Sequence, residues 1–534
     1  MKSEPPQRAI FLQLGLLVTL VAFLTTNRLD AGAVCGGNEA VEAVFLQQMV
    51  EHGHWLFPLD NGSEPMYKPP LFHWTTAAID RAAGIRKVTP FNLRLPSALY
   101  ATAGAALTMG FALSIMSAEP ALLSGLIIAA SYEYISQGRI GRVDMTLTFF
   151  TTLSLFSFLW WLGALEEIES RRARRRQMVL HYLLAASLGL GVLAKGPVGA
   201  ILPGLAIGLL LVLEKRWREL RKLLSPFPVV FGAVIASSWY SACLIGSRYS
   251  FLSRQIGSEN LGRFFGTLGR MPFGYYVQPL LLNGGPISLL IPIAVVTALT
   301  RPHWQGVDGR RSGDAADRVL DSVRLLAIFW IVTVVFFELA AYKRKAYLLP
   351  LWPPSAILLA WWTYRIAMPR WGRSVVVALV TTCAVMIVAN FFFIPWREVH
   401  DCGGKLSMIE ALEWPAQSLY GAPPTYVARQ DWLPQAAREI DGVVTASQPL
   451  FAYRFPDALE PLIFYLDRNI LPVHGEMNAI PPGYVLVPAA VWNQEKARAF
   501  GFEKLLTLPD SDQGMVLLRH QVSVPVSERP HPAQ

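Results

Sequence analysis

Long apolar runs recur along this chain, separated by short polar connections. Runs near twenty residues can cross a bilayer as helices, because lipid offers the backbone no partner and the helix satisfies it internally. About eleven such runs are read. They lie at 9–27, 95–116, 119–136, 145–164, 178–194, 197–213, 226–246, 277–299, 323–342, 346–364 and 374–395. Between Gly138 and Asp144, and again at Lys195-Gly196-Pro197, the connections shrink to tight corners. The first run follows Lys2 and Arg8 and exceeds the usual core of a signal peptide, so it reads as an uncleaved first span.

After about residue 395 the pattern changes. Helix-like stretches at 435–440, 460–465 and 494–500 alternate with strand candidates at 443–445, 484–487 and 515–518. The expected architecture is an α-helical polytopic membrane domain over 1–395 with an outer loop at 28–94. A small extracytoplasmic α/β domain follows at 396–526, then a polar, Pro-rich tail at 527–534 read as disordered.

Composition agrees with a membrane setting. The 534 residues are 53% hydrophobic and 16% charged, where soluble domains carry about a quarter charged residues. The net charge of +9 reflects basic loops. With the N-terminus cytoplasmic, the clusters at Arg171–Arg176, Lys215–Lys222, Arg301–Arg318 and Arg365–Arg373 all fall inside, as orientation by positive charge requires. No basic tract with interleaved aromatics points to nucleic acid. The four cysteines, Cys35, Cys243, Cys383 and Cys402, form no C-x-x-C pair. Cys243 and Cys383 fall in apolar spans and read as packing residues. Cys35 and Cys402 would share the outer side, where a disulfide can form.

The same orientation gathers the remaining charges on the outer face: Glu39, Glu42, Lys68, Arg94, Arg139, Arg142, Asp144, Lys195, Arg263 and Lys343-Arg344-Lys345. The last cluster breaks the charge rule, and charges near membrane depth are usually paired or functional. Glu39 and Glu42 sit three apart on a helical pattern and are neighbours on its surface. Either can act as a general base where partial desolvation raises a carboxylate's proton affinity, or simply face solvent. Lys68, locked by Tyr67 and Pro69-Pro70, suits an anion site or a lipid headgroup. Asp144 follows Arg142 at the start of a span, where it can cap the helix or act chemically. Lys195 stands at a corner made by Gly196 and Pro197. Lys343, Arg344 and Lys345 beside Tyr347 read as a phosphate-binding group. The stretch 254–270, with Glu259 and Arg263, reads as a mobile outer loop able to act as a lid. His52, His54 and His73 match no standard ligand spacing, so no metal or other cofactor is expected. Asn61-Gly62-Ser63 is formally a glycosylation acceptor.

Taken in order, these motifs resemble the membrane glycosyltransferases of the C-type fold, above all the aminoarabinose transferases of lipid A and the protein O-mannosyltransferases. The resemblance rests on Gly53-His54-Trp55; on Tyr67-Lys68-Pro69-Pro70-Leu71 with Trp74; and on Arg94-Leu95-Pro96-Ser97-Ala98. It continues through Arg142-Val143-Asp144, Ala194-Lys195-Gly196-Pro197, and Lys343 or Lys345 with Tyr347-Leu348-Leu349-Pro350. It implies a sugar donor on a polyprenyl phosphate. Lys68, Arg142, Lys195, the Lys343–Lys345 cluster and Tyr347 would hold the phosphate. A carboxylate, Glu39, Glu42 or Asp144, would deprotonate an acceptor hydroxyl on a lipid, protein or glycan, with inversion at the sugar carbon. Two positions depart from the pattern. Asn38 stands where the family usually has Asp, and an amide cannot serve as a base. Tyr67 stands where the aminoarabinose branch often has an acid that contributes to a metal site. The competing readings are a transporter or flippase for a lipid-linked anion, and a binding protein of reduced activity. Transporters show inverted repeats and midplane charges; here no repeat stands out and the charges gather at one surface.

Overall fold

The computed structural model describes residues 7–30, 32–34, 37–62, 64–165, 170–267, 269–300, 315–401, 432–454, 459–473, 475–495, 501–508 and 514–521. Cys35, Cys402 and the tail at 527–534 lie outside the described residues. Residue contacts divide the chain into two units. The first comprises Met1–Asp30, Gln48–Pro58 and Pro65–Ile394; the second comprises Ala31–Gln47, Leu59–Glu64 and Pro395–Gln534.

The first unit is a helical bundle. In chain order the early helices of the chain are α1 (Gln7–Thr26), α2 (Gly37–Val50), α3 (Leu71–Ala82), α4 (Pro90–Ile115), α5 (Ala118–Ala130), α6 (Tyr132–Gly138), α7 (Val143–Ala164), α8 (Arg171–Lys195) and α9 (Val198–Leu213). The division between units falls within α2, after Gln47. Among the described residues, seven helices are long and apolar enough to cross a membrane: Arg8–Thr26, Pro90–Ile115, Val143–Ala164, Arg171–Lys195, Pro226–Ile245, Arg318–Leu339 and Ser374–Ile394. Three shorter apolar helices, Ala118–Ala130, Val198–Leu213 and Gly285–Thr300, fall at further expected spans. The expected run at 346–364 is a composite: a 3-10 turn Lys345–Leu351, the helix Trp352–Trp362 and wide π-type turns over Thr363–Ala367. Length and composition therefore do not return the expected count of eleven, because several apolar runs are broken into shorter helices. The stretch read as a mobile loop at 254–270 is corrected over 254–265, which is helical: Tyr249–Leu252 passes into wide π-type turns over Ser253–Gly262 and then Arg263–Phe265.

Local chemistry sets the helix ends. Thr89 and Asn92 form a reciprocal cap at the start of α4, and Pro90 takes the first helical position, where its missing N–H costs nothing. Ser170 caps α8 by accepting from the Ala173 amide at 3.0 Å. Glycines let α8 approach its neighbours closely. A Cβ at Gly191 would stand 2.9 Å from the Gly199 carbonyl, and one at Gly232 would stand 2.7 Å from that of Ala185. Small residues of this kind drive helix association where lipid competes for apolar surface. At the C-terminal end of α1, Arg139 donates to the carbonyls of Leu24 (3.0 Å) and Asn27 (2.9 Å), and Arg94 donates to that of Leu29 (3.1 Å). At the far ends of α9 and the helix Ala315–Leu339, the buried Arg216 pairs with Glu214 at 2.8 Å and Asp321 at 2.5 Å. Cys243 and Cys383 are free and buried, as packing residues.

In the second unit a five-stranded sheet runs in the order Leu471–Val473, Leu450–Tyr453, Gly483–Pro488, Met515–His520, Phe502–Leu508. The first three strands are parallel and the last two join antiparallel, with Val485 opposite Leu518. The helix Glu460–Leu466 makes the crossover a parallel pair requires. Phe451, Tyr453, Val485, Val487, Val516 and Leu518 pack one core. The expected strand at 443–445 is a turn, and 450–453, 471–473 and 502–508 are strands that the pattern did not reveal. Asn61 exchanges two hydrogen bonds with the backbone of Ile470, at 2.6 and 2.8 Å. That amide is spent inside the unit, which speaks against the formal glycosylation reading.

Asp80 on α3 is fully buried and accepts from the Asn92 amide at 3.0 Å. Burial raises its carboxyl from 3.8 to about 6, and the Asn92 bond offsets part of that rise. Between pH 4 and 6 the unfolded chain releases a proton that the folded chain keeps. Stability therefore falls as pH rises through that window and is level above it, by about 3 kcal/mol in all. Asp80→Asn is expected to remove this fall, read from unfolding midpoints of the purified protein between pH 4 and 7. An unchanged slope refutes the assignment.

Candidate active site

Two corners of the first unit meet at one end of the bundle. At the first, α6 ends and α7 begins; at the second, α8 turns into α9. Because α7 and α8 run antiparallel, Arg142 and Asp144 at the start of one lie beside Lys195 at the end of the other. Asp144 does not cap its helix. The cap position is Arg142, which makes no side-chain capping bond. The Asp144 carboxylate instead ion-pairs with Arg142 at 3.1 Å and hydrogen-bonds Lys195. Its side chain is 2% exposed, against 18% for Lys195. A carboxylate taken so far from water needs such partners. Held from below, the Lys195 ammonium lies 4.6 Å from the centre of the Tyr347 ring, within cation–π range.

Beyond Lys195 opens a cavity of about 420 Å³. Its polar wall carries Tyr67, Lys68, Lys195, Arg263, Tyr342 and Tyr347, with Gln255, Glu259 and Asn260 beside them. Apolar side chains make up much of the remaining lining: Leu147, Val198, Ile201, Phe264, Phe265, Phe336 and Phe337. Arg263 donates to the Tyr347 hydroxyl at 3.0 Å, pairs with Glu259 and lies over the Tyr342 ring at 5.3 Å. Lys68 and Arg254 lie 5.2 and 5.4 Å from the Tyr67 ring centre. Three cations thus face one cavity and are braced by aromatic rings and a carboxylate. Cations so held suit a phosphate, and the aromatic wall suits a hydrocarbon chain.

The structure sorts the residues expected to act together. Lys68, Lys195 and Tyr347 share the cavity; Arg142 and Asp144 stand behind Lys195. The cluster 343–345 is dispersed. Lys343 is buried and reaches the Met271 carbonyl at 3.5 Å; Arg344 donates to the Tyr342 hydroxyl at 3.0 and 3.1 Å. Lys345 lines a separate cavity of about 20 Å³ with Glu133 and Asn283. An extended residue at 344 followed by a 3-10 turn sends the three side chains in different directions. Glu39 and Glu42, both buried, lie on the part of α2 that belongs to the second unit. Among the described residues no three His, Cys, Asp or Glu gather to hold a metal. Arg263 was missed as a site residue; its Glu partner four positions back and the Phe-Phe pair after it were the available signal.

Gly196 makes the second corner possible. Its φ is +90°, and a Cβ there would come within 2.5 Å of the Gln255 Nε2. Gly196→Ala is expected to lower stability by about 1–3 kcal/mol. Gly208→Ala, in the open middle of α9, should raise it by about 0.5–1 kcal/mol. Unfolding of the two purified variants decides this, and equal effects would refute the strain at the corner.

The chain is similar to several known proteins. The family described as dolichyl-phosphate-mannose-protein mannosyltransferase matches residues 46–246. An uncharacterised protein of Aquifex aeolicus is 27% identical over 346 residues, 65% of this chain and 62% of that one. The undecaprenyl phosphate-alpha-4-amino-4-deoxy-L-arabinose arabinosyl transferase of an Enterobacter species is 25% identical over 393 residues, 71% of this chain and 65% of that one. The chain thus spans just under two thirds of the length of either relative. The structure of ArnT from Cupriavidus metallidurans bound to undecaprenyl phosphate superposes with a TM-score of 0.73 at 18% identity, covering 95% of this chain and 98% of that one. The archaeal oligosaccharyltransferase AglB from Archaeoglobus fulgidus follows with a TM-score of 0.55 at 12% identity, covering 98% and 75%. This is an integral membrane protein with the C-type glycosyltransferase fold.

Proposed function

We propose that the chain transfers a sugar from a polyprenyl-phosphate donor to an acceptor hydroxyl, in a bacterial inner membrane with the cavity open to the periplasmic side. The observation that carries this reading is the cavity's mixed lining, which combines three cations with a set of aromatic and apolar side chains. The donor phosphate lies among Lys68, Lys195, Arg263 and the Tyr347 hydroxyl, and the first isoprene units lie along Phe264, Phe265, Phe336 and Phe337. The acceptor oxygen attacks the anomeric carbon on the face opposite the phosphate. The bond from that carbon to the phosphate oxygen breaks, its electron pair stays with the phosphate, and the configuration inverts. The cations stabilise the charge that develops on the leaving lipid phosphate. No cofactor enters this scheme.

The acceptor's proton needs a base. Asp144 is tied to two cations, which makes it a positioning residue for Lys195 and Arg142. The family resemblance, not the cavity geometry, assigns that base to Glu39 first and Glu42 second. Lys343, Arg344 and Lys345 shape the turn that presents Tyr347.

Purified protein is incubated with radiolabelled undecaprenyl-phosphate sugars and an envelope extract, and release of the free lipid phosphate is followed. Lys68→Met and Lys195→Met are each expected to lower the rate about a hundredfold or more. Wild-type rates in both variants would overturn the phosphate assignment. Glu39→Gln is expected to abolish transfer, and full transfer by that variant moves the base to Glu42. Asp144→Asn is expected to raise KM for the donor more than it lowers kcat, since it loosens Lys195 without touching the reacting atoms.

A further inference from the structure

The wide helical turns over Ser253–Gly262 bring a second group of side chains to the cavity, and the phosphate scheme does not use them. Gln255, Glu259 and Asn260 all line it. In a π-type helix a turn takes more than four residues, so positions four and five apart share a face; such turns often occur at functional sites. Gln255 and Asn260 lie directly over the corner beside Lys195. A Cβ at Gly196 would stand 2.5 Å from the Gln255 amide nitrogen and 3.4 Å from that of Asn260.

This group combines amide donors with acceptor oxygens. Gln255 is 1% exposed, yet its Oε1 has no hydrogen-bond partner among the described residues. A buried amide oxygen left in that state is costly unless a ligand supplies a donor. Asn260 donates its amide to the Gln255 carbonyl at 2.6 Å. Only the NH₂ can do that, so its Oδ1 is free to accept. Glu259 adds a carboxylate whose charge is balanced by Arg263. Two uncharged amides and a charge-balanced carboxylate lining one stretch of the cavity suit a neutral, hydroxyl-bearing group better than a second phosphate. Because Arg263 neutralises Glu259, the ligand need not be a cation.

Resting on the glycosyl-transfer reading above, we infer that Gln255, Glu259 and Asn260 form the subsite that binds the hydroxyl groups of the donor sugar, next to the phosphate held by Lys195 and Arg263. Sugar hydroxyls exchange hydrogen bonds with these three side chains, whose spacing decides which sugar is accepted.

The test uses the full-length protein in nanodiscs. Binding is measured for undecaprenyl phosphate and for its forms bearing a neutral hexose, a neutral pentose and an amino pentose. Gln255→Met and Asn260→Leu keep side-chain size and remove the amide groups. Both are expected to weaken the preferred neutral sugar-bearing form about tenfold, while bare undecaprenyl phosphate stays within about twofold of wild type. Retained binding of the bare lipid also shows that the variants are folded. If Gln255→Met weakens both ligands equally, or neither, the subsite is overturned while the phosphate site stands. Weakening confined to the amino pentose would replace hydroxyl recognition by an ammonium site and also overturn the proposal. Failure of the wild-type protein to bind undecaprenyl phosphate at all would instead remove the glycosyl-transfer reading.

Discussion

Asp144 enters α7 at its second residue, with 2% of its side chain exposed, and a carboxylate there must be met by opposite charge. Arg142 meets it from the corner before its own helix and Lys195 from the end of α8. The pairing ties together two helix ends that are far apart in sequence. It also fixes the height at which the Lys195 ammonium emerges against the Tyr347 ring. From there the arrangement propagates. Tyr347 receives Arg263, Arg263 holds Glu259, and Glu259 sits in the row with Gln255. Loss of the carboxylate would leave two cations facing each other at the base of this chain of contacts.

Much of this was legible in the apolar pattern, because lipid imposes a strong rule on backbone hydrogen bonding. The corner at Lys195-Gly196-Pro197 could be read directly, since Gly and Pro announce a turn and the lysine stood on the outer face. What the pattern could not show was direction. Lys343, Arg344 and Lys345 look like one cluster on paper, yet an extended residue and a 3-10 turn scatter them. Arg94 and Arg139 looked like free outer charges, and the structure employs both on carbonyls at the end of α1. Gln255 and Asn260 were invisible for a different reason. They carry no charge and match no motif, and only the wide turns bring them to the cavity.

The short strands of the second unit were obscured by the same limit. Leu471–Val473 and Leu450–Tyr453 are too short to show alternation, and Leu450–Tyr453 is buried along its whole length, which removes the two-residue period. The antiparallel pair that ends the sheet was half visible, because Met515–His520 is apolar while Phe502–Leu508 carries Glu503, Lys504 and a register shift near Leu506.

The way α1 is fastened bears on how this chain can vary. Only 22% of its apolar window is buried within the protein, so most of its side chains address lipid. What anchors its end is backbone: the carbonyls of Leu24, Asn27 and Leu29, grasped by Arg139 and Arg94. Carbonyls are the same for every amino acid. Away from the buried Leu17, Val21, Leu24 and Thr25, the letters of this helix can therefore drift widely among apolar choices, while the two arginines, lying more than sixty and a hundred positions downstream, carry the constraint at its end.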